Sequence, residues 1–213
     1  MIVPVYKKKG PTSREVLNDI KKVVKEKKVG HAGTLDPLAE GVLVVGIGRK
    51  STKELHKKNL NEKEYIALIR LGESSTTDDA EGEKLKGRIR HNPAMEEIES
   101  VISSFCGIIK QIPPKFSAIK LEGREAYKWA REGESFDLKE REAEVKELEV
   151  MSYRYPLLKI RVITGRGAYV RSLARDIGKE LGTEGYLLSL VRIRVGQYTL
   201  EDCKDITYFR GLK

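Results

Sequence analysis

Cysteine and histidine are scarce in this chain of 213 residues, which has two of the first and three of the second. Cys106 and Cys203 lie far apart and lack the C-x-x-C spacing of zinc and redox motifs, so we expect both to be reduced, packed thiols. His31, His56 and His91 do not show the spacing of metal ligands. The sequence therefore predicts no metal site.

Long apolar runs are absent as well. No stretch approaches the ~20 residues that a membrane-spanning helix needs, and the first residues lack the charged and then apolar order of a secretory signal peptide. A cytoplasmic location without a membrane partner is the default expectation. Neither a G-x-G-x-x-G loop nor a Walker loop is present, so no nucleotide cofactor is expected.

Acidic residues are outnumbered, with 32 Asp and Glu against 41 Lys and Arg, which gives a formal net charge of +9. This excess suits a polyanionic partner such as nucleic acid, although a basic protein without such a partner has the same composition. The lysines cluster at residues 7–9, 21–28 and 57–58, and the clustering favours a binding face. The charged content of 34% is also typical of proteins from hot environments.

Hydrophobic periodicity predicts helices and strands that mix without regular βαβ alternation. Residues 12–15 form a capping box at the start of an amphipathic helix over residues 13–28, whose outer face carries lysines. Further helices are predicted from residue 93 to 106, at 124–131 and at 168–181, and strands at 42–47, 64–71, 116–121, 145–153, 157–163 and 187–195. Residues 74–82 are predicted to be an acidic loop, and 134–149 a charged loop or insertion. The pattern predicts an α+β fold with a largely antiparallel sheet.

One carboxylate, Asp36, lies in a loop punctuated by glycine and proline, just ahead of the apolar strand at residues 42–47. A carboxylate on a loop that a buried strand holds in place is well positioned to react. On the local pattern alone, however, a turn explains Asp36 better than catalysis, because Asp-Pro favours turns.

Several segments, in order along the chain, resemble motifs of the TruB family of tRNA pseudouridine synthases. In residues 33–43, GTLDP is followed by A-x-G-V-L, as in the active-site motif of that family. The other matching segments are residues 7–13, 63–72, 77–82, 113–133, 167–173 and 190–192. Lys8 stands where the family has proline, so the loop lacks the stiffness that proline would give it but keeps its basic charge. Multiple matches in the right order are far more specific than any single match.

The resemblance implies the pseudouridine-synthase fold, with a central, mostly antiparallel mixed sheet flanked by helices. It also implies isomerisation of uridine 55 in the T-loop of tRNA. This reaction breaks the bond between N1 and C1′ and joins C1′ to C5 of the same base, so it needs no cofactor, but the base must be flipped out of the folded RNA. We expect a monomer that binds the tRNA T-arm through a single catalytic domain over residues 1–213, without the C-terminal PUA-type domain of the family.

The same resemblance implies roles for individual residues. Asp36 is the nucleophile, Arg171 its charged partner, and Tyr65 the residue that stacks on the extruded base and relays the C5 proton. Packing alone would also explain Tyr65, and a phosphate contact would explain Arg171. The implied substrate-binding residues are His31, Tyr169, Leu190, Lys7, Gly33, Thr34 and Leu35. Arg192 and Arg194 are predicted to contact phosphates together with the lysine clusters.

Two other functions remain open. A related archaeal and eukaryotic branch shares the aspartate loop and works inside a guide-RNA particle, although the short chain and the PPKFSAIK segment at residues 113–120 favour the stand-alone form. A tRNA-binding or tRNA-folding module without catalysis would show the same basic charge. The sequence also leaves open whether Asp36 attacks C1′ or C6, or assists glycal formation.

Overall fold

The computed structural model describes residues 1–55, 58, 60–86 and 91–211. His56 and Lys57, which enter the predictions on metal ligands and lysine clusters, lie outside the described residues. The chain divides into two compact units, Met1–Ile66 with Leu190–Lys213, and Ala67–Ser189. The expectation of a single catalytic domain is not decided by this division and stays a prediction.

The first unit is built on strands that flank a largely buried central strand. Its elements are β1 (Ile2–Lys7), α1 (Ser13–Val24), β2 (Val29–Ala32), β3 (Ala39–Ile47), α2 (Arg49–Leu55), the start of β4 (Lys63–Leu71), the end of β12 (Gly185–Val195), β13 (Tyr198–Thr199) and a 3-10 helix at Ile206–Gly211. β3 pairs antiparallel with β1 and β2 and parallel with β12, where Leu190 lies opposite Ala39. The middle of β3 is solvent-inaccessible, and Val42 and Val44 pack with Leu55 in the core.

The second unit contains the remaining elements. These are the end of β4, β5 (Glu73–Ser75), β6 (Lys84–Lys86), α3 (Met95–Ser104), β7 (Gly107–Gln111), β8 (Lys120–Leu121), β9 (Arg124–Glu125), α4 (Ala126–Arg131), β10 (Arg141–Arg154), β11 (Leu157–Thr164), α5 (Val170–Glu180) and the start of β12. Its sheet runs in the order β12-β4-β11-β10-β7, and β10 pairs antiparallel with both neighbours. Mixed pairing with flanking helices confirms the α+β fold class.

The start of α1 is as the sequence predicts. Thr12 caps the helix, its hydroxyl accepts a hydrogen bond from the Glu15 amide at 3.1 Å, and the Glu15 carboxylate accepts one from the Thr12 amide at 2.7 Å. The predicted end of the helix at residue 28 is wrong. Lys25 adopts a left-handed conformation with φ of 54°, which ends α1 at Val24 and lets the chain turn into β2.

Other differences from the predicted elements have identifiable causes. The sequence predicts a loop over the charged segment 134–149, but the second half of this segment belongs to β10. Ala143 and Val145 of β10 face the core while charged neighbours face out, and a register shift beside Val145 breaks the strict alternation by which a strand is recognised. Only Lys120–Leu121 of the predicted strand 116–121 is a strand. Periodicity does not reveal β2 and α2, because they are short and carry few apolar residues.

Both cysteines are free, but they differ in environment. Cys203 is half-buried, and burial, followed by the neighbouring Asp202, raises the pKa of its thiol to about 11. The prediction of a packed thiol is therefore confirmed for Cys203 and wrong for Cys106, which is exposed.

Candidate active site

Asp36 lies in the loop between β2 and β3, which we call the aspartate loop (residues 33–38). Leu35 and Leu38 are each 3% exposed and anchor the loop in the core, whereas Asp36 between them is half-buried. Gly33 and Thr34 are exposed. The loop thus holds a half-buried aspartate on a backbone that is fixed on both sides.

Arg192, on β12, holds the start of the aspartate loop. Its Nη2 donates to the Gly33 carbonyl at 3.0 Å, its Nη1 to the Thr34 carbonyl at 3.3 Å and its Nε to the Val42 carbonyl at 2.7 Å. The residue is 1% exposed. Its predicted role as a phosphate contact is therefore wrong, because the guanidinium group is buried and bonded to the main chain.

Arg194, two residues further along β12, is held by carboxylates. Its Nη1 lies 2.8 Å from Glu62 and its Nε 2.8 Å from Glu64. These two charges offset that of the guanidinium group, which disfavours the phosphate contact predicted for Arg194.

Lys7 is fully buried at the end of β1. Its Nζ donates to the carbonyls of Ala39 at 2.7 Å and Lys8 at 3.0 Å. These contacts give Lys7 a structural role next to the aspartate loop, and a direct contact between Lys7 and RNA stays a prediction.

His31 lies on β2 opposite Val45. Burial lowers the pKa of its imidazole, and the positive charges of Arg192 and Arg14 lower it further. Within the described parts of the chain, no hydrogen-bond partner faces its buried Nδ1. Both effects disfavour the charged form of the ring, and the predicted role of His31 in RNA conformation stays a prediction.

Tyr65 and Leu190 are each 8% exposed, on β4 and β12 respectively. Both side chains are largely packed, so either of them has only a small edge available to a substrate. Their predicted contacts with the extruded base stay predictions.

Lys63 is a candidate site residue that sequence reasoning missed, although it belongs to segment 63–72, which resembles a motif of the TruB family. A Cβ atom added at Gly33 would lie 3.0 Å from Lys63 Cε and 3.6 Å from Arg192 Nη1, so these two cationic side chains lie against the loop. Burial, and then the charge of Arg192, lower the pKa of Lys63 to about 8. By periodicity alone, Lys63 is indistinguishable from a surface lysine at the end of a strand.

In the second unit, Arg171 is 5% exposed on the first turn of α5. Its guanidinium group donates to the carbonyls of Thr77 at 3.3 Å and Phe116 at 3.0 Å, and lies 3.7 Å from the Asp79 carboxylate. Three of the matching sequence segments therefore meet at this arginine. Asp79, 2% exposed, is a partner that sequence reasoning did not assign.

Tyr169 is the N-terminal cap residue of α5, and the side-chain amide of Gln111 brackets its main chain. The Tyr169 amide donates to Gln111 Oε1 at 3.0 Å, and Gln111 Nε2 donates to the Tyr169 carbonyl at 3.4 Å. This arrangement fixes the helix start from which Arg171 projects.

One turn beyond Arg171, Arg175 makes a second, half-buried contact. Its Nη1 lies 2.8 Å from Asp78 and its Nη2 donates to the Ile112 carbonyl at 2.8 Å. Burial raises the pKa of Asp78, an effect that Arg175 opposes.

The predicted site residues fall into two groups. Asp36, His31, Tyr65, Leu190, Lys7, Gly33, Thr34 and Leu35 belong to the first unit, and Arg171 and Tyr169 belong to the second. The pairing of Asp36 with Arg171 stays a prediction.

Among residues 1–55, 58, 60–86 and 91–211, no group of three His, Cys, Asp or Glu side chains is arranged to hold a metal ion. No helix in the same ranges is long and apolar enough to span a bilayer.

Comparison with known proteins decides the family. The family described as TruB family pseudouridylate synthase (N terminal domain) matches residues 21–170. This chain belongs to the TruB family. TruB relatives include the tRNA pseudouridine synthase B of Thermobifida fusca, 45% identical over 96% of this chain and 72% of that protein. The tRNA pseudouridine synthase B of Parabacteroides distasonis is 47% identical over 84% of this chain and 76% of that protein.

Solved structures agree with this membership. A chain of a Cbf5-Nop10-Gar1 complex matches with a TM-score of 0.75 and 29% identity, covering 98% of this chain and 54% of that one. A chain of an H/ACA RNP bound to a substrate RNA containing 2′-deoxyuridine matches with a TM-score of 0.70 and 28% identity, covering 97% of this chain and 51% of that one. The present TruB chain therefore spans about half the length of these solved chains. The pseudouridine-synthase fold expected from the sequence is confirmed.

Proposed function

We propose that this protein converts uridine to pseudouridine in tRNA, at uridine 55 of the T-loop. The observation that carries the proposal is the half-buried carboxylate of Asp36 on an anchored loop, in a chain of the TruB family. The names of the bacterial relatives, which are 45% and 47% identical, support tRNA as the substrate.

Asp36 is the proposed nucleophile. The reaction breaks the N1–C1′ bond, forms a C1′–C5 bond, removes the proton from C5 and leaves N1 protonated, so atoms and charge balance without a cofactor. The half-buried position of Asp36 leaves part of the residue accessible to an extruded nucleotide, and the packed Leu35 and Leu38 on either side exclude part of the water around it. Attack at C1′, attack at C6 and assistance of glycal formation are all compatible with this placement.

Tyr65 and Arg171 complete the proposed catalytic set. Tyr65 would stack on the extruded base and relay the C5 proton. Arg171 would contribute a permanent positive charge to the site, and its three contacts to the main chain and Asp79 hold it in one orientation.

The remaining residues are proposed to bind the substrate. Exposed Gly33 and Thr34 are available to the RNA backbone, and Leu190 would border the uracil. The buried Leu35 would act through the conformation of the loop. His31 would lie beside the flipped nucleotide, and Tyr169 would support the helix start that carries Arg171.

The proposed partner is the T-arm of tRNA, bound by a monomer, and the proposed location is the cytoplasm. Phosphate contacts from lysines would supply affinity, while the shape of the RNA and its splayed loop bases would supply specificity. The net charge of +9 supports an RNA partner.

A guide-RNA-dependent synthase is the second candidate. The TM-score of 0.75 to a chain of a Cbf5-Nop10-Gar1 complex favours it. Identity of 29% to that chain, against 45% and 47% to the bacterial relatives, argues for the stand-alone enzyme.

The test is to incubate the protein with an unmodified tRNA transcript, without guide RNA, cofactor or metal, and to map pseudouridine by chemical labelling. We expect conversion at the T-loop uridine alone. Tight binding of tRNA without conversion would contradict the proposal in favour of a guide-dependent enzyme or a binding module.

Asp36→Asn is the matched variant, because it removes the charge and keeps the shape. We expect tRNA binding within about threefold of wild type and a loss of turnover of at least ~10³-fold, as for removal of a nucleophile. Turnover near the wild-type rate would remove Asp36 from the proposed role. A tRNA-folding activity that survives in this variant would show a second, non-catalytic role.

A further inference from the structure

The main chain of the aspartate loop is bonded at every carbonyl from residue 33 to residue 37. Arg192 binds the first two carbonyls, the Ser13 hydroxyl binds that of Leu35, the Ala39 amide binds that of Asp36 at 3.1 Å, and the Gly10 amide binds that of Pro37 at 2.8 Å. Loops on protein surfaces usually leave part of their polar backbone to water. Here five consecutive carbonyls are held by donors from four residues, of which Gly10, Ser13 and Arg192 lie outside the loop and Ala39 directly follows it.

Ser13 attaches to the aspartate loop through two hydrogen bonds. Its hydroxyl accepts a hydrogen bond from the Leu35 amide and donates one to the Leu35 carbonyl, both at 2.8 Å. The side chain is 2% exposed, and the two residues are 22 positions apart. A single oxygen therefore satisfies both polar groups of the residue that immediately precedes Asp36.

The position of Ser13 is set by the helix that it begins. Thr12 is the capping residue of α1, and Ser13 is the first residue of the helix proper. The two neighbouring hydroxyl groups therefore have separate tasks, since that of Thr12 caps α1 and that of Ser13 holds the aspartate loop.

Arg192 provides the second attachment from a distant part of the chain. Its three hydrogen bonds reach residues 150 to 159 positions earlier. Since both Nη atoms bind adjacent carbonyls, the guanidinium plane fixes the direction of the main chain through Gly33 and Thr34.

We propose that Ser13 and Arg192 are positioning residues for the reaction, which hold the main chain of the aspartate loop so that the Asp36 carboxylate points at the reacting ribose or base. The proposal rests on the proposed role of Asp36. Neither side chain touches the substrate. A carboxylate displaced by about 1 Å loses much of the advantage of a preset reaction geometry, so both residues act on the chemical step and not on RNA affinity.

The test compares Ser13→Ala with wild type in single-turnover reactions, with enzyme in excess over tRNA and at saturation. Under these conditions the rate constant reports only folded, RNA-bound enzyme, so a variant that merely folds less well keeps the wild-type value. We expect a fall of about 10- to 100-fold in the rate constant, with the Kd for tRNA within about twofold. Ser13→Thr keeps the hydroxyl group and should recover most of the rate.

Arg192→Lys tests the second attachment, because it keeps the charge and removes the paired geometry. Arg194→Lys on the same strand is the matched control, since Arg194 binds carboxylates and not the loop. We expect a loss of about tenfold or more for Arg192→Lys and a change below about twofold for Arg194→Lys. The effects of Ser13→Ala and Arg192→Lys should combine less than multiplicatively, because both act through one loop.

Hydrogen exchange at the Leu35 amide gives a readout that does not depend on activity. In Ser13→Ala this amide should exchange at least ~10-fold faster, while amides of the buried strand β3 keep their protection. Unchanged single-turnover rates in Ser13→Ala and Arg192→Lys, with wild type active and Asp36→Asn inactive, would overturn the positioning roles alone. An inactive wild type would instead overturn the proposed function.

Discussion

At the scale of single residues, burial decides which of the chain's many cations are available to RNA. Lys7 and Arg192 are 0% and 1% exposed, yet in the sequence they are indistinguishable from surface residues. Both donate to main-chain carbonyls near the aspartate loop. Charge alone therefore overstates the number of phosphate contacts.

Lys63 allows a prediction on the pH dependence of stability. Its pKa of about 8 in the folded protein lies below the value of about 10.4 for an unfolded chain. Between these two values the folded state has released a proton that the unfolded state retains, so the contribution of Lys63 to stability rises with pH through this window. Below about pH 8 Lys63 is charged in the folded and the unfolded protein, and the free-energy cost of burying that charge lowers stability in full.

We therefore expect Lys63→Met to increase the free energy of unfolding at pH 7 by on the order of 1–2 kcal/mol. The gain should shrink above about pH 8 and vanish near pH 10.5. Urea denaturation at pH 7, 9 and 10.5 measures it, with Lys27→Met, at an exposed position, as the control. A gain that is equal at all three values would contradict the assigned cause.

At the scale of secondary-structure elements, capping motifs and periodicity predict an element correctly where the contacts that form it are local. The start of α1 was predictable because the Thr12–Glu15 pair lies within four residues. The end of α1 was not, because the left-handed residue there is a lysine and not the usual glycine. β10 was partly missed since its apolar positions are interrupted by register shifts.

The exposed face of α1, together with Lys25 directly after its end, is predicted to bind tRNA phosphates. We expect the combined charge reversal Lys21→Glu, Lys22→Glu and Lys25→Glu to weaken tRNA binding and to flatten its salt dependence. The log–log slope should fall by about 0.7–0.9 for each phosphate that the variant no longer neutralises. Reversal at Lys22 also places a carboxylate beside Asp19, its present partner at 2.9 Å. Filter binding between 50 and 200 mM KCl measures the slope.

The rate of the chemical step separates this assignment from a loss of folding. The single-turnover rate constant at saturation should stay within about twofold of wild type, because these lysines lie outside the aspartate loop. Unchanged binding would rule out α1 as an RNA contact.

At the scale of the whole molecule, the excess of positive charge predicts strongly salt-dependent binding. With a net charge of +9 and as few as three phosphate contacts, affinity for tRNA should fall at least ~10-fold between 50 and 200 mM KCl. The rate constant at saturation should not change, since the isomerisation creates no net charge. Binding that is independent of salt would point to recognition without phosphate contacts.

The sequence by itself determined the family, the fold class and the aspartate on its loop, because these follow from short motifs and from periodicities within one element. Tertiary structure decided what holds that aspartate. The contacts of Ser13 and Arg192 with the aspartate loop join residues 22 to 159 positions apart. No local pattern encodes contacts between residues so far apart in the sequence. These contacts form when the strands pair and the buried carbonyls of the loop must find donors inside the protein.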